Sequence, residues 1–346
     1  MRPQHTVKLT EQDDTYVLDG CKCTGSGGDV LCLSLSNQTI RCYDVRTATL
    51  LLDLCAHTCA IRDVVATPSR PHILYSAQED TGVMISDIRQ QSPAHFLSEY
   101  CGSGATGGTV GVSPSGEELA IAVNGDVHFV DTRMWATKHV ISKMHLDEIT
   151  RVRFVDDAVY CSAGEDQMIN FISTSPTTRD NDVLLQAVSC GEVATKMTVF
   201  PEHNVVGIIG SCENAYSFPF DLEQPEVRHA RPSESTYCVD MCSLNGQLCL
   251  VTGVRDDDGN AGPLSITELA TGARTVLPQV HKEISRVALG VEGWLVTGGE
   301  DNLLVFWGSD GDAAQSVVGE PRLTMPSRLP RVRRARQSVP YIKRIN

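Results

Sequence analysis

The segment Thr297-Gly298-Gly299-Glu300-Asp301-Asn302-Leu303-Leu304-Val305-Phe306-Trp307 reads as a strand, a tight turn and a second strand. The same phrase recurs along the chain. Ser76-Ala77-Gln78-Glu79-Asp80-Thr81-Gly82-Val83-Met84-Ile85-Ser86-Asp87 is one copy, and Ser162-Ala163-Gly164-Glu165-Asp166-Gln167-Met168-Ile169-Asn170-Phe171-Ile172-Ser173 is another. A histidine stands upstream of each, at His57, His145 and His281. The slot that ends the third strand of a unit is filled by Asp44, Asp87, Asp131, Ser173, Asp221, Glu268 and Gly308, at separations of 43, 44, 42, 48, 47 and 40 residues. A period of roughly 40 to 45 residues marks stacked units that cannot bury their faces alone. There are seven of them.

Local patterning agrees. Val30-Leu31-Cys32-Leu33-Ser34-Leu35 and Leu248-Cys249-Leu250-Val251-Thr252 are short apolar runs bounded by Gly, Asn and Asp turns. No stretch keeps a helical apolar period over three turns. Units of four strands, stacked around an axis, bury both faces and remove most sheet edges. The fold class expected is therefore all-β, a seven-bladed propeller over residues 1–310. Closure falls to His5-Thr6-Val7-Lys8-Leu9-Thr10, which precedes the first unit and is expected to pair into the last blade as its outer strand.

The third-strand ends, the Ser113-Pro114-Ser115-Gly116 turn and the His…Asp…Trp spelling of the last unit resemble the WD-repeat family over about residues 5 to 310. That resemblance implies a hydrogen-bonded chain supporting each blade, from the loop His through a Ser or Thr to the Asp turn and the Trp. Only the last unit spells all of it, with His281, Thr297, Asp301 and Trp307. The second unit has His57, Ser76 and Asp80 but Ser86 in the Trp slot; the fourth has His145, Ser162 and Asp166 but Ile172. Because these pairs recur at one register, they read as blade supports rather than catalytic dyads. The triplets Asp44-Val45-Arg46, Asp87-Ile88-Arg89 and Asp131-Thr132-Arg133 resemble the end of a motif in WD-repeat substrate receptors of cullin-4 ubiquitin ligases. There the arginine helps engage the adaptor, so Arg46, Arg89 and Arg133 become candidate adaptor-binding residues.

Charge is divided along the chain. No Asp or Glu lies beyond Glu320, while residues 321–346 carry Arg322, Arg328, Arg331, Arg333, Arg334, Arg336, Lys343 and Arg344 among four prolines. Residues 311–346 are expected to form a disordered basic tail. In it, Arg331, Arg333, Arg334, Arg336, Lys343 and Arg344 are open to three readings: a nuclear import signal, a phosphate-contacting arm for RNA, or a solvated terminus. With no apolar segment after Met1 and no run of 18 apolar residues, the chain is expected to carry neither a secretory leader nor a membrane span. Its thirteen cysteines include no Cys-x-x-Cys and fall within strand patterns, where Cys behaves as a small hydrophobe. An intracellular, reduced chain is expected, in the nucleus or in nucleus and cytoplasm.

Motifs for chemistry are weak. Gly102-Ser103-Gly104-Ala105-Thr106-Gly107 has dinucleotide spacing but leads into a short strand and a turn rather than a helix. Asp256-Asp257-Asp258-Gly259-Asn260 lacks the remaining ligands of a calcium loop and reads as an elongated hairpin of the sixth unit. The expectation is a non-enzymatic interaction scaffold in a protein or ribonucleoprotein complex, without catalytic residues, metal, cofactor, small-molecule substrate or membrane partner. The alternative is a cullin-4-type substrate receptor. Partners would bind the propeller faces, and RNA or an import receptor the tail.

Overall fold

The computed structural model describes residues 1–11, 14–25, 28–90, 93–98, 100, 107–175, 183–256 and 258–308. These residues form seven four-stranded antiparallel sheets. Blades one to six each take four consecutive strands, beginning at Val17, Ile61, Gly107, Ile149, Ala194 and Tyr237. Blade seven takes Ser285–Val291, Trp294–Gly299 and Leu303–Gly308, and completes itself with Arg2–Lys8 from the other end of the chain.

The closing strand runs antiparallel to Leu303–Gly308, with Thr6 opposite Val305 and Lys8 opposite Leu303. It begins earlier than the His5–Thr10 segment marked in sequence. A register shift between Pro3 and His5 accommodates the proline, whose missing N–H is tolerated at a sheet edge. Beyond Lys8 the backbone pairing continues once, from Leu9 N–H to the Asn302 carbonyl (2.9 Å), and the Asn302 side chain then takes over: Thr10 N–H donates to Asn302 Oδ1 (3.0 Å) and Asn302 Nδ2 donates to Thr10 carbonyl (2.8 Å). Arg2, Pro3 and Lys8 on this outer strand blunt an edge that would otherwise recruit another chain.

Each apolar cluster lies between two adjacent blades. Tyr43, Leu33 and Leu35 of blade one pack on Phe306, Val296 and Leu304 of blade seven, and Val251 and Ile266 of blade six on Trp307 and Leu295 of blade seven. Five similar clusters fill the remaining interfaces. Stability is thus distributed around a closed ring, and the first strands of neighbouring blades touch all the way round.

The third strands end at Asp44, Asp87, Asp131, Ser173, Glu268 and Gly308, as the repeat spacing places them. In blade five the strand stops at Pro219, two residues before Asp221, because proline cannot donate to the next strand. The only helix among the described residues is the 3-10 turn Pro201–His203. No helix among them is long and apolar enough to cross a membrane. Residues 309–346, and with them the basic tail and its six candidate residues, lie outside the described residues, as does the Gly102–Thr106 loop.

Candidate functional site

The His, Asp and Ser/Thr residues singled out in sequence converge at the entrances of three blades. In blade seven the order is Asp301–His281–Thr297–Trp307. His281 Nδ1 meets both Asp301 oxygens (3.1 Å), His281 Nε2 meets Thr297 Oγ1 (2.8 Å), and Trp307 Nε1 donates to that hydroxyl (2.8 Å). The histidine therefore sits between Asp and Thr, where the linear order put the hydroxyl between His and Asp. In blade four His145 bridges Asp166 (2.9 Å) and Ser162 (2.8 Å). The chain ends there, since Ile172 offers no donor; Asn170 Nδ2 closes it by reaching Met144 carbonyl (2.6 Å).

Blade two departs from the expected spelling. His57 meets Ser76 (2.7 Å), but its other nitrogen faces Gln78 Oε1 (2.9 Å), and Gln78 Nε2 donates to Asp80 (2.7 Å). Asp80 is reached through the amide. The cause is one residue. Where blades four and seven place Gly164 and Gly299 at the end of the second strand, blade two places Gln78. A Cβ on Gly164 would lie 2.5 Å from His145 Nδ1, so direct His–Asp contact needs glycine there. Burial pushes the His57 imidazolium down from its ordinary value. Burial alone would raise the carboxyls of Asp166 and Asp301, but hydrogen bonds from His145 and His281 and from backbone N–H groups hold them below it.

Blade five uses an acid instead, which sequence comparison with the other units did not mark. Buried Glu192 accepts from Tyr216 hydroxyl (2.8 Å), Asn214 Nδ2 (2.7 Å) and Cys212 N–H (2.6 Å). Gly210 again leaves the room. The missed signal was position: Glu192 stands two residues ahead of the first strand, just beside an entrance loop.

The larger omission is the centre of the ring. In every blade the first strand carries a register shift near its start. The residue after it is Asp19, Asp63, Thr109, Arg151, Lys196, Asp240 or Val287, at separations of 44, 46, 42, 45, 44 and 47 residues. Arg153 of blade four donates from both terminal nitrogens to Asp63 of blade two (2.6 and 2.8 Å). Thr109 Oγ1 (2.6 Å) and Val110 N–H (3.1 Å) of the intervening blade donate to the same carboxylate. Lys196 of blade five donates to Asp240 of blade six (2.7 Å) and to the Arg286 carbonyl of blade seven. Side chains that join non-adjacent blades must run through the axis, so these pairs strut the channel from within.

Asp63 is fully buried and Arg153 nearly so. Burial would raise the Asp63 carboxyl, but the Arg153 guanidinium and its hydrogen bonds draw it below the ordinary value. Asp19 lies close to these charges without such a bidentate partner, and burial, then the Asp63 charge, raise it.

The Asp-x-Arg turns lie at the third-strand ends. Arg89 pairs with its own Asp87 (2.6 Å) and Arg133 with Asp131 (3.2 Å), and both carboxyls are lowered chiefly by these hydrogen bonds. Arg46 turns away from Asp44 and forks onto Glu292 of blade seven (2.9 and 3.2 Å). All three arginine heads remain more than half exposed. The Asp256 carboxylate is engaged by Asn260 through its N–H (2.7 Å) and amide (3.0 Å), closing the blade-six hairpin on itself; Asp257 lies outside the described residues. A depression of about 410 Å³ between blades five and six is lined by Asn214, Arg228, Arg231, Ser233 and Ser235. Arg228 is held there by Asn214 (2.6 Å), and Arg231 by the Thr236 carbonyl (2.7 Å).

The fold is that of a seven-bladed β-propeller, consistent with the WD-repeat type. The chain matches no model of a known protein family, and no curated protein is similar enough to count as a relative.

Proposed function

We propose that this propeller is a non-enzymatic interaction scaffold within a protein or ribonucleoprotein complex. One observation carries the reading: the recurrent His–Asp pairs and the paired charges of the axis are engaged in holding the ring. The His–Asp pairs of blades four and seven are buried supports, and the axial charges of Asp63 with Arg153 and of Lys196 with Asp240 pair across blades. What faces outward is loop and outer-strand surface, including Leu146, which is 97 % exposed beside His145 at the entrance of blade four. An exposed apolar residue on a rigidly held loop suits contact with another macromolecule.

In the order of its pieces the chain is also similar to WD repeat-containing protein 89. The leading strand, the Asn37–Asp44 hairpin, the His145–Phe154 entry to blade four and the last blade followed by a basic tail carry that similarity, and it supports a scaffold. The tail residues Arg331, Arg333, Arg334, Arg336, Lys343 and Arg344 fit an import receptor or an RNA backbone, which favours a nuclear or shuttling protein.

The test is cross-linking of the complex in cells, comparing the natural chain with Leu146→Asp and with the triple change Arg46→Ala, Arg89→Ala and Arg133→Ala. Loss of a defined set of cross-links with Leu146→Asp at unchanged stability is the expected result. Loss of a cullin-4 adaptor with the triple variant alone would establish the substrate-receptor reading, which the exposed arginine heads favour. An unaltered pattern in both variants counts against binding at either place.

A further inference from the structure

The depression between blades five and six is lined by two arginines and no carboxylate. Arg228 lies on the outer strand Val227–His229 of blade five, and Arg231 on the link that leads into blade six. The chain has 43 acidic residues against 29 Lys and Arg. Exposed arginines such as Arg62, Arg89 and Arg133 accordingly face a carboxylate, those of Glu79 (2.5 Å), Asp87 (2.6 Å) and Asp131 (3.2 Å). Arg228 and Arg231 form no such ion pair among the described residues. Each is held by a neutral oxygen instead, Arg228 by Asn214 Oδ1 (2.6 Å) and Arg231 by the Thr236 carbonyl (2.7 Å).

Both guanidinium groups rest on parts that are themselves fixed. Asn214 stands at the turn between the second and third strands of blade five, and its Nδ2 donates to buried Glu192 (2.7 Å), which turns its Oδ1 toward Arg228. Arg231 precedes Pro232, whose ring fixes φ and whose carbonyl accepts from Ser235 N–H (2.9 Å), closing a turn. Ser235 is buried, with its hydroxyl 2.9 Å from that of Thr252. Carboxylates on the flanking segments face other partners. Glu192 is taken by Tyr216, Asn214 and Cys212, Glu213 accepts from Cys238 N–H (2.7 Å), and Glu234 pairs with Arg274 (2.9 Å). Each guanidinium spends a single nitrogen on its contact and keeps further N–H donors. Ser233 adds an exposed hydroxyl.

We propose that this depression binds a phosphoserine or phosphothreonine side chain of a partner protein. The scaffold reading thereby gains a partner chemistry, and the protein nature of the partner rests on that reading. A phosphate monoester carries a charge of about −1.5 to −2 at neutral pH and strong acceptor oxygens, which planar guanidinium forks match. A single carboxylate would leave one of the two arginines unbalanced. The volume of about 410 Å³ falls in the range of ligand pockets and leaves room for residues beside the phosphate. No aromatic ring lines it, so the bases of a nucleic acid find no platform for stacking. The strand bearing Arg228 is the outermost of its blade and is paired on one side only. An extended peptide can therefore lie along its open edge with the modified side chain in the depression.

The experiment passes the full-length protein over two immobilised degenerate peptide libraries and over immobilised oligouridine. One library has a fixed central phosphoserine or phosphothreonine, the other the unmodified residue. Retention on the phosphorylated library should exceed that on the unmodified one by about tenfold or more. Arg228→Gln and Arg231→Gln should each reduce it by about tenfold, since each removes charge-assisted hydrogen bonds, while Arg62→Gln in blade two should leave it unchanged. Equal retention on the two libraries would overturn the proposal, and this comparison decides the case even if a variant fails to fold. So would a phosphate preference that survives in the double variant Arg228→Gln with Arg231→Gln, because the responsible charges would then lie elsewhere, the basic C-terminal residues included. Arginine-dependent retention on oligouridine without retention on the phosphorylated library would give the depression to a nucleic-acid backbone and overturn the peptide assignment. The cross-links lost in Leu146→Asp do not depend on this depression, so its failure leaves the scaffold reading standing.

Discussion

Replacement of Asp63 by Leu tests whether the axial charges strut the ring. Asp63 is fully buried and accepts four hydrogen bonds: two from Arg153 at 2.6 and 2.8 Å, one from Thr109 at 2.6 Å and one from Val110 at 3.1 Å. Its removal leaves a nearly buried guanidinium, a hydroxyl and a backbone N–H without their acceptor. Breaking such a pair from one side costs about 3–5 kcal/mol, a large share of the roughly 5–15 kcal/mol by which a domain is stable. Arg153→Met should cost a similar amount, because Asp63 is left as an uncompensated buried anion. The double change Asp63→Leu with Arg153→Met should recover most of the loss, since an apolar pair of similar volume often replaces a buried ion pair with little effect. Urea unfolding followed by tryptophan fluorescence gives the three differences, and the double-mutant cycle gives the coupling. The expected coupling is at least about 2 kcal/mol, within the range seen for residues of one network. Single changes that each cost under about 1 kcal/mol and simply add would mean a solvated pair, and the reasoning would fail.

Trp307→Ala removes the largest fully buried side chain and should cost about 3–5 kcal/mol, read in the same unfolding assay. Gly164→Ala puts a Cβ 2.5 Å from His145 Nδ1 and 2.6 Å from Asp166; it should cost about 1–3 kcal/mol through overpacking and open the His145–Asp166 contact in a crystal structure. Burial lowers His57, His139 and His229, so the unfolded chain binds protons that the folded chain does not. Their contribution is present above the unfolded value of about 6.5 and is lost as pH falls from there through the folded values. Melting temperature should decline between neutral pH and pH 5, and His57→Gln should flatten that decline; an unaltered slope would assign the acid sensitivity elsewhere.

The repeat was legible because one slot, the end of the third strand, keeps a short polar or glycine residue at near-constant spacing from Asp44 to Gly308. The supports of blades four and seven followed from it. Blade two did not, because one glycine-to-glutamine difference at Gln78 inserts an amide between His57 and Asp80. Glu192 escaped notice since its chemistry differs from the His it stands in for. The axial charges also keep a regular spacing, but their identities alternate between Asp, Thr, Arg and Lys. Similarity between units therefore hides them. Only the closed ring brings Asp63 within reach of Arg153, ninety residues away in sequence.

The seven-bladed ring closes through its own N-terminal strand. Arg2–Lys8 supplies the outer strand of blade seven, and His5 lies against Trp294 and Phe306. The direct measurement is the melting temperature of a chain lacking residues 1–8. Losing that ladder and its apolar cover should cost about 4 kcal/mol or more, a fall of about 6 °C, since an unfolding entropy of roughly 2.1 cal/mol/K per residue over about 300 residues gives about 1.6 °C per kcal/mol. A synthetic peptide spanning residues 1–11 should restore much of it. A truncated chain melting within about a degree or two of the intact one, indifferent to the peptide, would contradict closure by this strand.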